Sequence, residues 1–192
     1  MATDQGKILL PIARAAIAHV LHAPYPAAAD ETAPWLTEPG ASFITLTQSG
    51  ELRGCIGTLQ PRRPLLADVK SNAVSAALHD PRFLPLTREE FVTVQVEVSL
   101  LTAPQPLDFA DETDALAQLR PGIDGVVFEY GRHRSTFLPQ VWESLAQPHL
   151  FLAMLKRKAG LPDNFWAEDV KLSRYTVTKW READLDEEFY NG

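Results

Sequence analysis

Val92, Val94, Val96, Val98 and Leu100 alternate without a break with Thr93, Gln95, Glu97 and Ser99, a period-two pattern that predicts a strand with one core face and one polar face. Upstream, residues 5–22 carry Ile8, Leu9, Ile12, Ala16 and Val20 at helical spacing behind Asp4, which can cap the start, with Pro11 expected to bend this helix or delay its start. Four prolines then mark residues 23–40 as a surface loop, anchored by Trp35 and Leu36. Residues 41–48 and 52–59 read as the arms of a hairpin around Ser49-Gly50-Glu51. Arg62-Arg63-Pro64 opens a helix whose inner face is Leu65, Leu66, Val69, Ala73, Ala76 and Ala77, and Asp80-Pro81 ends it in a sharp corner, Asp80-Pro81-Arg82-Phe83.

Beyond the alternating strand, residues 111–119 suit a short acidic helix, and 126–128 with 135–137 a second hairpin turning within 131–134. Pro139 is expected to start a helix carrying Val141, Trp142 and Leu145, which Pro148 restarts and Gly160 ends. A last strand covers 170–181. The pattern is α+β, with mostly antiparallel sheet and flanking helices.

Register decides where the only cysteine points. With a three-residue loop Gln48 lies opposite Leu52, Ile44 opposite Ile56, Thr45 opposite Cys55 and Thr47 opposite Arg53. This register groups the apolar residues and is the expected one. A two-residue loop would instead set Cys55 beside Ile44, as a buried and inert thiol.

Composition narrows the functional classes. At 192 residues the chain suits a single domain over 5–181, followed by an acidic tail, 182–192, with five carboxylates between Glu182 and Glu188. The net charge of −7 argues against a nucleic-acid binder, which needs a basic surface to neutralise phosphates. No run approaches the roughly 20 apolar residues of a membrane span. One cysteine cannot form an internal disulfide and the first residues lack the features of a secretory signal, so a soluble cytoplasmic protein is expected.

The candidate chemistry centres on Leu52-Arg53-Gly54-Cys55-Ile56-Gly57. Two glycines let a backbone, a side chain or a ligand approach the thiol, and Arg53 two positions away favours the thiolate. Five histidines could supply a base, but none adjoins Cys55 in the chain. Metal-ligand spacings, phosphate-binding glycine loops and the Gly-x-Ser-x-Gly elbow are all missing, so no metal is expected and no cofactor is indicated.

The hexapeptide, followed in order by Pro64-Leu65, Asp80-Pro81-Arg82-Phe83, Pro85-Leu86, Glu97-Val98-Ser99, Leu138-Pro139-Gln140-Val141 and Lys158-Ala159-Gly160-Leu161-Pro162, resembles the AMMECR-type domain, called AmmeMemoRadiSam system protein A in microbes. The resemblance runs from about Gly6 to Trp180 and implies two packed lobes with the hexapeptide near a cleft between them. It implies genetic association with a Memo-like protein and a radical SAM enzyme, but no established reaction. By motif it nominates Cys55, Arg53 and Glu97 as catalytic candidates. Gly54, Gly57, Asp80, Arg82, Ser99, Pro139 and Gln140 would bind a small-molecule or protein ligand. Arg53 or Arg82 would hold a carboxylate or phosphate, Glu97 would orient an arginine, and Ser99 or Gln140 would donate hydrogen bonds. Trp142, where the family tends to alanine, is expected to narrow one side of the cleft. A non-catalytic interaction module is the competing expectation.

Overall fold

The computed structural model describes residues 2–25 and 29–184. Most of the acidic tail therefore lies outside the described residues. The chain divides into two compact units, one built from the chain up to Leu101 and from Thr178 onward, the other from Thr102–Val177.

In the first unit the order is α1 (Ala2–Leu21), β1 (Pro39–Gln48), β2 (Glu51–Gly57), β3 (Arg63–Pro64), α2 (Leu65–Leu78), α3 (Arg88–Phe91) and β4 (Gln95–Leu101), with β9 (Val177–Arg181) returning at the end. The sheet order is β2-β1-β4-β9, with the short β3 paired to the start of β1. Strands β2, β3 and β4 all run antiparallel to β1. The core joins Leu9, Ile12 and Ile17 of α1 and Val69 and Ala73 of α2 to Ile44, Leu46, Val96 and Val98 of the sheet. Burial of that apolar face carries α1 through Pro11 without a break, since packing outweighs the lost backbone bond.

The first hairpin combines the two registers weighed from the sequence. Gln48 pairs with Glu51 across a two-residue turn, Ser49-Gly50, both at positive φ. A bulge then intervenes: Thr47 faces Leu52, Leu46 faces Gly54, and Arg53 is the extra residue. From there Thr45 faces Cys55 and Ile44 faces Ile56, as expected. The expected pairs Gln48 with Leu52 and Thr47 with Arg53 do not form.

The alternating strand starts late. Thr87 and Glu90 form a capping box whose side chains reciprocally bond each other's backbone N–H, and this nucleates α3 where the pattern alone suggested strand from Val92. Val92 is consequently exposed at a helix end.

The second unit orders β5 (Gln105–Pro106), α4 (Glu112–Gln118), β6 (Gly125–Tyr130), β7 (His133–Phe137), α5 (Pro148–Lys158) and β8 (Lys171–Tyr175) into a sheet β5-β8-β6-β7. Pro139–Glu143 is only a 3-10 turn. Trp142 lies in this unit's core, stacked on Phe151 at 3.7 Å with Nε1–H donated to the Asp124 carbonyl, so the expectation that its bulk narrows a cleft is corrected. The strand expected over 170–181 is divided: β8 belongs to this sheet and β9 to the first, because the chain changes sheet between Tyr175 and Val177.

Candidate functional site

Strand β2 lies at an edge of its sheet, where unpaired backbone groups would ordinarily meet solvent. At Cys55 they meet a side-chain bracket instead. The Cys55 N–H donates to Asp80 Oδ2 at 2.8 Å, and the Cys55 carbonyl accepts from Arg82 Nη2 at 3.2 Å. Since both groups point away from β1, Thr45 and Cys55 form the close, non-hydrogen-bonded type of cross-strand pair. Thr45 Oγ1 lies 3.4 Å from Cys55 Sγ as its donor. The thiol's partner is this hydroxyl rather than a histidine. His79 caps the end of α2, and His133 lies in the second unit against the Ala159 carbonyl.

Asp80 holds the bracket together. Its Oδ1 accepts from the Arg82 N–H at 3.1 Å and from Arg82 Nε at 2.9 Å, while Oδ2 accepts Arg82 Nη2 at 2.7 Å as well as the Cys55 N–H. The Asp80 side chain is 2% exposed and that of Arg82 is 54% exposed. Hydrogen bonds from the Arg82 side chain, followed by those from the Cys55 and Arg82 backbones, outweigh burial and hold the Asp80 carboxyl well below the usual carboxylate range. The same pairing raises the pKa of the Arg82 guanidinium above its ordinary value.

Both glycines of the hexapeptide answer to packing. A Cβ on Gly54 would sit 2.2 Å from the Ala76 carbonyl oxygen, so β2 runs against the backbone of α2 at a distance only glycine permits. The Cβ of Gly57 would fall within the ring of Phe43, its cross-strand partner. Arg53 turns to Glu90, with Nε and Nη2 on the two carboxylate oxygens at 3.0 and 2.9 Å and Nη1 on the Leu84 carbonyl at 3.0 Å. The guanidinium groups of Arg53 and Arg82 lie 5.9 and 5.5 Å from the centre of the Phe83 ring.

Two rows of residues cross the sheet away from the helices. Cys55, Thr45 and Glu97 form one, and Gly57, Phe43 and Ser99 the other. Glu97 does pair with an arginine, Arg181 of β9 at 2.8 Å, and also with Lys179 at 3.7 Å. Ser99 is buried. Pro139 and Gln140 belong to the second unit, at the 3-10 turn, where Gln140 is exposed.

A family model described as AMMECR1 matches residues 10–180. The chain belongs to the AMMECR1 family. A Methanothermobacter thermautotrophicus protein is 36% identical over 187 residues, covering 95% of this chain and 96% of its own. Protein MJ0810 of Methanocaldococcus jannaschii is 41% identical over 140 residues, 70% of this chain and 68% of that protein. Among solved structures, the uncharacterized protein PH0010 from Pyrococcus horikoshii superposes with a TM-score of 0.79 at 34% identity, over 93% of this chain and 92% of that one. The α+β architecture is thus shared with an experimentally determined neighbour.

The AMMECR1 domain also contains polar residues that the sequence reading passed over. Asp68 of α2, 0% exposed, accepts from the Ser42 N–H, Ser42 Oγ and Asn72 Nδ2 at one oxygen, and from Thr58 Oγ1 and Arg63 Nε at the other. Asp68 and Asn72 lie one turn apart on the helix face otherwise read as apolar, and no short motif marks them. Glu90 could have been found, because Thr87-x-x-Glu90 is a capping-box signature. No helix among the described residues is long and apolar enough to cross a membrane.

Proposed function

We propose that this AMMECR1-family chain is a docking module whose presented surface is the corner 80–84 beside the Cys55 strand. The observation that carries the reading is the Asp80 bracket: a buried, ionised carboxylate fixes both the β2 edge and the Arg82 guanidinium, leaving that guanidinium's outer face open. Leu84 follows at 83% exposure, so a rigid charge and an apolar side chain stand side by side. The partners are those implied by the resemblance, a Memo-like protein or a radical SAM enzyme.

Interferometry with each purified partner tests this. Arg82→Ala and Leu84→Asp are expected each to weaken binding by at least about tenfold, a loss of about 1.4 kcal/mol, with Cys55→Ser unchanged. Full binding by both corner variants, or loss of binding in Cys55→Ser alone, would refute it.

A second reading makes Cys55 a nucleophile or transient group carrier, favoured by this half-buried residue's place beside Thr45 and by the charged Arg82 at its backbone. Its measure is the rate of iodoacetamide alkylation against pH. A rate that follows an ordinary free thiol near pH 8.5 removes this reading.

A further inference from the structure

We propose that a hollow between α1 and α3 of the first unit, separate from the Cys55 corner, binds a small aromatic anion. Its volume is about 800 Å³, within the usual range of ligand pockets. Leu10, Pro11 and Phe91 give it apolar walls, with Tyr25 on one side and Val92 at the mouth. The polar floor is already neutral. Arg14 meets both oxygens of Glu182 at 2.8 Å and gives its remaining hydrogen bonds to the carbonyls of Phe91 and Val94. Glu182 Oε2 also accepts the Val96 N–H. The Arg14 guanidinium stacks 4.8 Å from the Phe91 ring centre, so neither group of this pair is left to recognise a ligand.

Recognition falls to the groups around the opening. Arg88 and Tyr25 both line the hollow, and neither side chain makes a hydrogen bond or ion pair among the described residues. Burial and the Glu182 charge raise the Tyr25 phenol above its ordinary pKa, keeping it a donor. Gln95 adds an amide, and Glu89 is the one carboxylate at the rim not already paired to an arginine. A guanidinium and a phenolic donor beside flat apolar walls suit a planar ring bearing a carboxylate or similar anion, and Glu89 disfavours a second negative charge.

Isothermal titration of the full chain with 2-naphthoate and its neutral isostere 2-naphthamide tests the assignment. The acid is expected to bind one to one and about tenfold more tightly than the amide, the worth of one charge-assisted contact. Arg88→Gln should bring the two to equal affinity. Val92→Trp, at a position 80% exposed and therefore compatible with the fold, should block both by filling the mouth. Equal affinities in the unaltered protein, no saturable heat, or unchanged binding in Val92→Trp would each overturn the proposal.

Discussion

Two buried carboxylates, one at each end of α2, perform the same operation on the same sheet with different outcomes. Asp68, in the first turn, accepts the backbone N–H of Ser42 in β1; Asp80, just beyond the last turn, accepts that of Cys55 in β2. Each also takes an arginine, Arg63 or Arg82. The difference lies in what else surrounds them. Asp68 is enclosed by Ser42, Thr58 and Asn72, all polar partners that nothing outside needs to complete. Asp80 has only its own corner, and Arg82 carries the charge outward. One staple closes a core; the other fixes a strand edge and leaves its arginine half-exposed.

The comparison breaks first at Asp68. Asp68→Ala removes the acceptor shared by a buried backbone N–H, two hydroxyls, an amide and a guanidinium, and is expected to cost about 3–5 kcal/mol in urea unfolding. A cost no larger than that of Asp80→Ala would show that enclosure does not separate the two sites. Gly54→Ala comes next, because its methyl would press on the Ala76 carbonyl, which is helix backbone and cannot rotate aside. About 1–3 kcal/mol is expected, the usual cost of overpacking. Gly57→Ala meets only a Phe43 ring, which can move, and should cost less.

Asp80 was legible in the sequence and Asp68 was not, for a physical reason. Proline at 81 forces a corner and so draws attention to its neighbours, whereas a polar residue on a helix face looks solvated until its partners from Ser42 and Thr58 are in place. Strict alternation located β4 and the helical stripes located α1, α2 and α5, because each depends on local periodicity. Turn and boundary details depend on competing local chemistry: the bulge at Arg53 corrected the register that the turn had shifted, and the Thr87 capping box claimed residues from the strand. Of the candidate site, Cys55, Asp80 and Arg82 converge, while Arg53 is held by Glu90 and Glu97 by β9. Those ion pairs join positions 37 and 84 residues apart, beyond the reach of any local motif.

The acid limb of stability sharpens the same contrast. Because the folded-state pKa of Asp80 is depressed, its contribution is fully present above the ordinary aspartate value of 3.8 and is lost as pH falls from there toward the folded value. Asp80→Asn is expected to lower stability at pH 7 by about 1–2 kcal/mol, from the loss of charge-assisted hydrogen bonds. It should also flatten the fall in stability below pH 4, read from urea midpoints at pH 7, 4 and 3. An unchanged acid limb would mean that Asp80 is not the carboxylate whose protonation loosens this edge.

The smallest expected effect on stability separates charge from shape. Arg82→Lys keeps a cation beside Asp80 but removes the fork through which Nε and Nη2 reach both carboxylate oxygens while Nη2 also holds the Cys55 carbonyl. Since the side chain is largely exposed, water screens the exchange and about 0.5 kcal/mol or less should be lost. If the corner acts through its fixed geometry, partner binding should nonetheless fall nearly as far as in Arg82→Ala. If lysine restores it, attraction between charges suffices, and the bracket serves the strand edge more than the presented surface.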